Sequence, residues 1–283
     1  MALAYALALG VALAVGWALR GRHPLLVAAW ADLAATLVVF GFSVRYDNSS
    51  FYDPYWSVAP LPIAVYWASA GEAAPTLRQF LIILLVALWG VRLTGNWVAR
   101  WRGVGDEDFR YVEIRQKTGR MYWPASLVSI HLMPSIWVFL GLLPVFPALT
   151  QPQPLAWLDG TALLVTAVAI AIETLADRQL RAFLRTRREP EAVLNHGLWG
   201  RCRHPNYLGE ILFWWGLYLF GLAAAPSWAW SIVGPLSITL LFALISAPWM
   251  DRRLLSRHPA WAESMRGLPS LLPWFRKTLE RSP

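Results

Sequence analysis

The sequence predicts an all-α, polytopic transmembrane helix bundle of seven to eight spans with a cytoplasmic C-terminus. Three observations carry this. The 283-residue chain is 57% hydrophobic and only 15% charged, against about 25% charged in ordinary soluble domains. Its mean hydropathy is +0.43. Its apolar residues fall into runs near the about 20 residues that a bilayer crossing needs. Finally, 20 of its 25 Lys and Arg lie in three stretches: 99–122, 177–207 and 249–283. This composition excludes a disordered chain, a disulfide-rich module and an ordinary soluble enzyme.

The first run, 2–19, lacks a basic segment before it and has Arg20 and Arg22 after it. It therefore reads as a first transmembrane helix rather than a signal peptide. Further spans are expected at 25–43, 79–98, 125–148, 155–176, 208–225 and 228–248. The shorter piece at 56–70, WSVAPLPIAVYWASA, reads as either a short span or a re-entrant segment. Re-entry gives seven spans with the N-terminus outside, and a span gives eight with the N-terminus inside. Both choices put the three basic stretches on one side, which the positive-inside rule makes cytoplasmic.

With no loop long enough to fold alone, residues 1–283 form a single transmembrane domain, and any chemistry on the cytoplasmic side is built from loops packed on helix ends. The net charge of +8 fits anionic headgroups better than nucleic acid in such a chain. The single cysteine, Cys202, excludes an intrachain disulfide and a Cys-based zinc site, and no metal is expected.

Ionisable groups inside spans are costly and face the bundle interior or a wet cavity. Asp32, Arg92, His131, Glu173 and Glu210 lie in or at the edge of expected spans. Arg92 and Asn96 are at i and i+4, on one helix face. Glu173 and Asp177 share a face in the same way, and two acids so placed repel unless each finds a donor. Arg178, Arg181, Arg185, Arg187 and Arg188 follow them. An acid beside a basic cluster is a way to grip both the sugar and the phosphate of a nucleotide. The most concentrated stretch is 196–210, HGLWGRCRHPNYLGE. There Arg201, Arg203 and His204 are anion donors, Pro205 sets the backbone direction, Asn206 is placed to cap the helix, and Glu210 lies one turn inside. No glycine-rich dinucleotide fingerprint follows a strand, so a nucleotide here is not held by a Rossmann fold.

The run RHPNYLGE (203–210), preceded by GLW, resembles the steroid 5-alpha-reductase superfamily, in particular the bacterial membrane proteins with a 5-alpha-reductase C-terminal domain. SFYDPYWSVAP (50–60), LWGVRLTGNW (88–97), EDFRY (107–111), ETLADRQLRAF (173–183) and HPAWAESMRGLPSLLPWF (258–275) resemble its other motifs in the same order. The resemblance spans about 45–276. It implies a reductase of the bacterial cytoplasmic membrane that uses NADPH to deliver hydride to the beta carbon of an apolar enone, steroid-like or another lipid. Residues 1–98 would form the substrate side and 99–283 the cofactor side. Carried over, Arg110, Tyr111, Arg115, Arg120, Glu173, Asp177, Arg181, Arg203, His204, Asn206, Tyr207 and Glu210 would contact or brace the cofactor. Trp56, Trp89 and Asn96 would face substrate. The Glu–Tyr pair of steroid-binding members has Tyr55, Trp56 and Trp89 at its nearest positions, and His131 stands where Gln is usual. Tyr55, Arg92 and His131 are therefore the candidates to polarise the carbonyl, because a donor aimed at the developing enolate oxygen is what the reaction needs.

Three other readings compete. Isoprenylcysteine and phospholipid methyltransferases share an RHPxY motif and bind S-adenosylmethionine there. Sterol C14-type reductases share the cofactor. A non-enzymatic lipid-binding protein would explain the 18 tryptophans as interfacial belts. Tyr52, Tyr55 and Trp56 themselves read equally as a substrate wall or as such a belt. The partners expected are the bilayer and an apolar small molecule, with no nucleic acid and no obligate protein.

Overall fold

The structure, a computed structural model, describes residues 1–71, 76–151, 153–187, 189 and 192–272. Among the described residues the regular structure is entirely helical. In chain order the helices are α1 (Ala2–Ala18), α2 (Pro24–Arg45), α3 (Tyr55–Val58), α4 (Pro60–Ala70), α5 (Leu77–Val98), α6 (Phe109–Thr118), α7 (Tyr122–Ser126), α8 (Met133–Leu142), α9 (Val145–Thr150), α10 (Trp157–Thr186), α11 (Pro205–Ala224), α12 (Val233–Leu240), α13 (Ala247–Arg257) and α14 (Pro259–Ser264). Among the described residues, six helical stretches are long and apolar enough to cross a membrane: α2, α5, Phe109–Leu142, α10, α11 and Pro226–Arg257. A helix satisfies its own backbone polar groups, so it tolerates such an environment.

The apolar run expected at 125–148 is not one helix. The helical stretch begins at Phe109, widens into a π turn over Leu127–Leu132, ends at Leu142 and resumes as α9. Prolines account for this. Pro134 offers no N–H to the carbonyl one turn back, and Pro144 sits at the break. The π turn at Leu241–Ser246 stands in the same relation to Pro248.

The 56–70 segment forms α3 and α4, split at Pro60, and runs antiparallel to α5. Near one end of α5, Ser57 Oγ lies 2.9 Å from Thr94 Oγ1. At the other end Gly71 lies against the Thr150 backbone, beside the point where Gln79 Nε2 donates to the Leu149 carbonyl at 2.6 Å. The segment therefore passes from one end of the bundle to the other. Gly90 permits the contact, because a Cβ there would sit 2.5 Å from the Ser57 carbonyl oxygen.

The closest helix pair is α10 with α11. Ala162, Thr166, Ala169, Glu173 and Ala176 line the buried face of α10, and Gly209 and Gly216 face them from α11. A Cβ on Gly216 would lie 2.1 Å from Thr166 Oγ1. Small residues at this spacing let two backbones approach closely. Around the pair, Trp67, Trp89, Phe213, Trp214 and Phe220 are fully buried, and Trp89 stacks on Phe213 with centroids 4.6 Å apart.

The two ends of the bundle differ. One gathers the described residues of 46–54, 99–122, 177–207 and 249–270. There Asn48 donates to the Val104 and Asp106 carbonyls, Trp249 Nε1 donates to Glu113 at 2.8 Å, and the Arg203 amide donates to the Pro269 carbonyl at 2.9 Å. This polar end holds the described parts of all three basic stretches; residues 273–283, including the end of the closing motif, lie outside the described residues.

The opposite end is fixed by Arg78. Its Nε and Nη2 each donate to Asp159 at 2.7 Å, and Nη1 and Nη2 also reach the carbonyls of Gln153 and Pro154. Both side chains are buried. Removing one partner of such a pair strands the other charge. Arg78→Met is therefore expected to cost about 3–5 kcal/mol, read as a lowered thermal unfolding temperature of the detergent-solubilised protein. An unchanged unfolding temperature would refute this role.

Candidate functional site

The helical period puts Trp89, Arg92 and Asn96 on one face of α5, Glu173 and Asp177 on one face of α10, and Asn206, Glu210 and Trp214 on one face of α11. The three faces converge near the polar end. Arg92 reaches Glu173 Oε1 with Nη2 at 2.5 Å and Asp177 Oδ2 with Nη1 at 2.8 Å. Asn96 Nδ2 donates to the same Asp177 oxygen at 2.5 Å, and Arg181 Nη1 donates to Asn96 Oδ1 at 3.0 Å. Glu210 accepts from the indoles of Trp89 at 3.0 Å and Trp214 at 2.8 Å. The donors that the acids of α10 require thus come from α5 and not from the arginines that follow them in sequence. Asp177, 22% exposed, is the outer member, with Arg100 and Arg181 also acting on it electrostatically.

Buried polar atoms without a hydrogen-bond partner occur in the cluster, at Arg92 Nε, and at the start of α11, at Arg203 Nε and Asn206 Oδ1. Each such atom costs about 1–3 kcal/mol, so each is a point where a polar ligand would complete the bonding. An open depression of about 350 Å³ beside Arg78 and Gln153 lies at the opposite end of α5 and contains none of these groups.

At the start of α11 the expected cap is corrected. Pro205 takes the first helical position and His204 becomes the N-cap, so Asn206 lies inside the first turn. Arg203 and His204 are engaged elsewhere, with Arg203 Nη1 2.5 Å and His204 Nε2 2.6 Å from the two oxygens of Asp251 on α13. The His204 ring stacks on Tyr207, and Tyr207 packs on Phe242. This clamp ties the RHPNY run to the closing segment.

The 99–122 arginines separate. Arg110 pairs with Asp108, the N-cap of α6. Tyr111 donates to Asp53 Oδ1 at 2.5 Å, and Trp97 Nε1 lies 3.3 Å from Asp53 Oδ2. Arg115 pairs with Asp47 and Glu107 and stacks on Tyr122, which makes it a brace between segments. Arg120 is exposed and joins none of these networks.

Tyr55 and His131 lie with each other's neighbours but not with Arg92. Tyr55 donates to Asp32 at 2.8 Å. His131 sits between Ser43 and Ser126, with Phe40 and Tyr52 edge-on to its ring. The three candidates for the polarising donor thus lie in two separate environments, Tyr55 and His131 in one and Arg92 in the other, because their helices bring different faces to different neighbours. Trp56 meets Trp89 edge-on at 5.8 Å. Trp89 itself is fully buried as a donor to Glu210, so it supports the cluster from within. Tyr52 and Tyr55 are buried, which removes the reading of these tyrosines as a lipid-facing belt. Sequence reasoning missed Asp53, Glu107, Trp214 and Asp251. Asp251 was signalled as an acid within a basic tail, and Trp214 as the residue one helical turn after Glu210.

Fold and site together define an integral membrane helix bundle with a buried acid–arginine cluster near its polar end. Residues 39–263 match a family described as "Protein of unknown function (DUF1295)", and the chain belongs to that family. It is also similar to an uncharacterized protein of Schizosaccharomyces pombe, with 26% identity over 246 residues covering 78% of this chain and 71% of the relative. No solved structure matches the chain.

The geometry at Asp53 has a measurable consequence. Burial, and then the nearby Asp108 carboxylate, push its carboxyl from 3.8 up to about 6, against the pull of Arg110 and of the Tyr111 and Ser50 hydroxyls. The folded state then holds this proton more tightly than the unfolded chain. Its contribution to stability is present below pH 3.8 and is lost as pH rises to about 6. Asp53→Asn is expected to flatten that part of the pH–stability curve in thermal unfolding between pH 4 and 7. A slope identical to that of the parent protein would show that Asp53 is not its source.

Proposed function

We propose that the protein is an integral-membrane reductase that uses NADPH to reduce the carbon–carbon double bond of an apolar enone. The observation that carries this reading is the cluster of Arg92, Asn96, Glu173, Asp177 and Glu210, with the unpartnered buried atoms in it and at the start of α11, set beneath Arg100 and Arg181. Its residues come from the stretches that resemble the steroid 5-alpha-reductase superfamily. The donor set fits the cofactor. Asp177 is exposed enough to accept from ribose hydroxyls, and Arg100 and Arg181 flank it for phosphate. Asn206 Oδ1, buried and unbonded, suits an amide N–H. NADPH bound there supplies the hydride.

The remaining work falls to the chain's own residues. Glu210, held by two indoles, keeps a fixed orientation at the inner wall of the site. The apolar packing of Trp89, Phe213 and Trp214 excludes water. Tyr55 and His131, deeper in the N-terminal half, are the candidate donors to an enone oxygen, which would take the place of Asp32 at Tyr55 or of Ser43 at His131. The basic stretches at the polar end support a cytoplasmic cofactor side under the positive-inside rule.

Binding of NADPH against S-adenosylmethionine by the purified protein tests the reading, with energy transfer from the 18 tryptophans to the reduced nicotinamide as the signal. NADPH binding supports the reductase. Binding of S-adenosylmethionine alone would move the protein to the methyltransferase reading. Asn206→Ala is expected to weaken NADPH binding by about 1–3 kcal/mol; unchanged affinity would remove Asn206 from the site. His131→Ala is expected to lower turnover of a responsive enone about 100-fold or more, the scale of a lost general acid, with NADPH affinity retained. Equal loss of both would argue against a role at the carbonyl.

A further inference from the structure

Outside the charged cluster, the N-terminal half holds a second polar interior made almost wholly of hydroxyl groups around His131. His131, Ser43, Ser49 and Ser126 are completely buried. His131 Nδ1 lies 3.0 Å from the Ser126 carbonyl, which can only accept, so Nδ1 carries the hydrogen. Nε2 is then the acceptor, and Ser43 Oγ, 2.9 Å away, donates to it. Ser43 has a second partner, the Val39 carbonyl at 3.2 Å. If His131 takes up a proton, Nε2–H donates to Ser43 Oγ and the Ser43 hydroxyl turns to Val39. Both charge states of the imidazole are thereby satisfied without moving a heavy atom, and the aromatic rings of Phe40 and Tyr52 flank the ring in each.

From the Nδ1 side a line of hydroxyls runs to the polar end. Ser126 Oγ lies 3.5 Å from Nδ1 and 2.8 Å from Ser49 Oγ. Ser49 Oγ lies 2.6 Å from Tyr122 Oη. Tyr122 Oη donates to Glu107 Oε1 at 3.0 Å. Glu107 also accepts from the Ser49 amide at 2.7 Å and meets Arg115, which pairs with the solvent-exposed Asp47. The π turn Leu127–Leu132 carries His131, and such turns re-aim side chains within a helix.

We propose that Glu107, Tyr122, Ser49 and Ser126 form a proton path between the polar surface and the buried His131. In outward transfer an imidazolium with hydrogens on both ring nitrogens gives its Nδ1 proton to Ser126 Oγ as Ser126 passes its own to Ser49, Ser49 to Tyr122 Oη and Tyr122 to the Glu107 carboxylate, which leaves the ring hydrogen on Nε2; inward transfer from the Glu107 carboxyl is the reverse and restores the Nδ1 hydrogen. The hydroxyls then turn back. One proton leaves a carboxyl and one arrives on a ring nitrogen, with no electron transferred. The path goes beyond the reductase reading and does not depend on it, although a reductase would need such a supply at the alpha carbon.

The test uses the full-length protein in detergent micelles, labelled with ¹⁵N-histidine, with neither nucleotide nor enone present. Exchange of the His131 ring N–H with water is measured by NMR, the signal being assigned by its loss in His131→Gln. Tyr122→Phe, which keeps the ring under Arg115, and Ser49→Ala are each expected to slow exchange about tenfold or more, whereas Ser135→Ala is expected to change it by less than about twofold. Ser135 serves as the comparison because it is a buried hydroxyl beside Tyr52 but off the line. Exchange that is unchanged in both Tyr122→Phe and Ser49→Ala, or slowed equally by Ser135→Ala, would overturn the path.

Discussion

The pairing of Arg92 with Glu173 and Asp177 is the constraint on which the rest of the bundle depends. A buried guanidinium and buried carboxylates are costly to remove from water, and the cost is recovered only if all are brought into good geometry at once. That geometry requires α5, α10 and α11 to meet at a fixed height. The small-residue face of α10 supplies the height. Glu173 itself belongs to that face, and a Cβ on Gly209 would come within 2.9 Å of its Cγ. Helix packing and the charged cluster are therefore one contact, and a shift of either helix would unpair Arg92 and crowd Gly209 together. On the inner side, the indoles that hold Glu210 also stack in the apolar core, so the polar site and the core share Trp89 and Trp214.

The polar interior is divided by chemistry as well as by position. The cluster between α5, α10 and α11 is charged and lies under arginines. The interior around His131 is built of Ser, Thr and Tyr hydroxyls, such as Thr36, Ser135 and Tyr52 in series. Neutral hydroxyls are cheaper to bury than charges and can reverse donor and acceptor roles. Trp56 against Trp89 joins the two regions, and nothing in that contact is polar. The two interiors thus differ in what they can hold: the first offers charge and the second neutral hydroxyls.

Much of this was legible in the sequence, and the failures have physical reasons. The facing of Arg92 with Asn96 and of Glu173 with Asp177 follows from helical periodicity alone. Their meeting across helices does not, because no spacing rule relates residue 92 to residue 177. Asn206 looked like a cap, but Pro205 claims the first helical position and shifts the cap back to His204. Arg203 and His204 looked free for an anion until Asp251, 47 residues past His204, was folded against them. The 125–148 run is apolar on average, and hydropathy alone conceals that its prolines break it. Tyr55, Arg92 and His131 were alternative candidates for one donor on chemical type, and chemical type does not tell which of two environments each occupies.

Tryptophan abundance has two sources that burial separates. Trp67, Trp89 and Trp214 are internal and hold the core or the cluster. Trp17, Trp157 and Trp230 are exposed, Trp157 to 83%, and all three sit at or near the helix ends of the pole opposite the site, where Arg20 stacks on Trp17 with 4.2 Å to the ring centroid. Exposed indoles at helix ends beside an arginine are the arrangement of an interfacial belt. The belt thus marks one membrane boundary and the basic stretches mark the other. The charged cluster, at the ends of α5 and α10 that lead into those basic stretches, lies where a water-soluble ligand entering from the polar side could meet an apolar one held within the bundle.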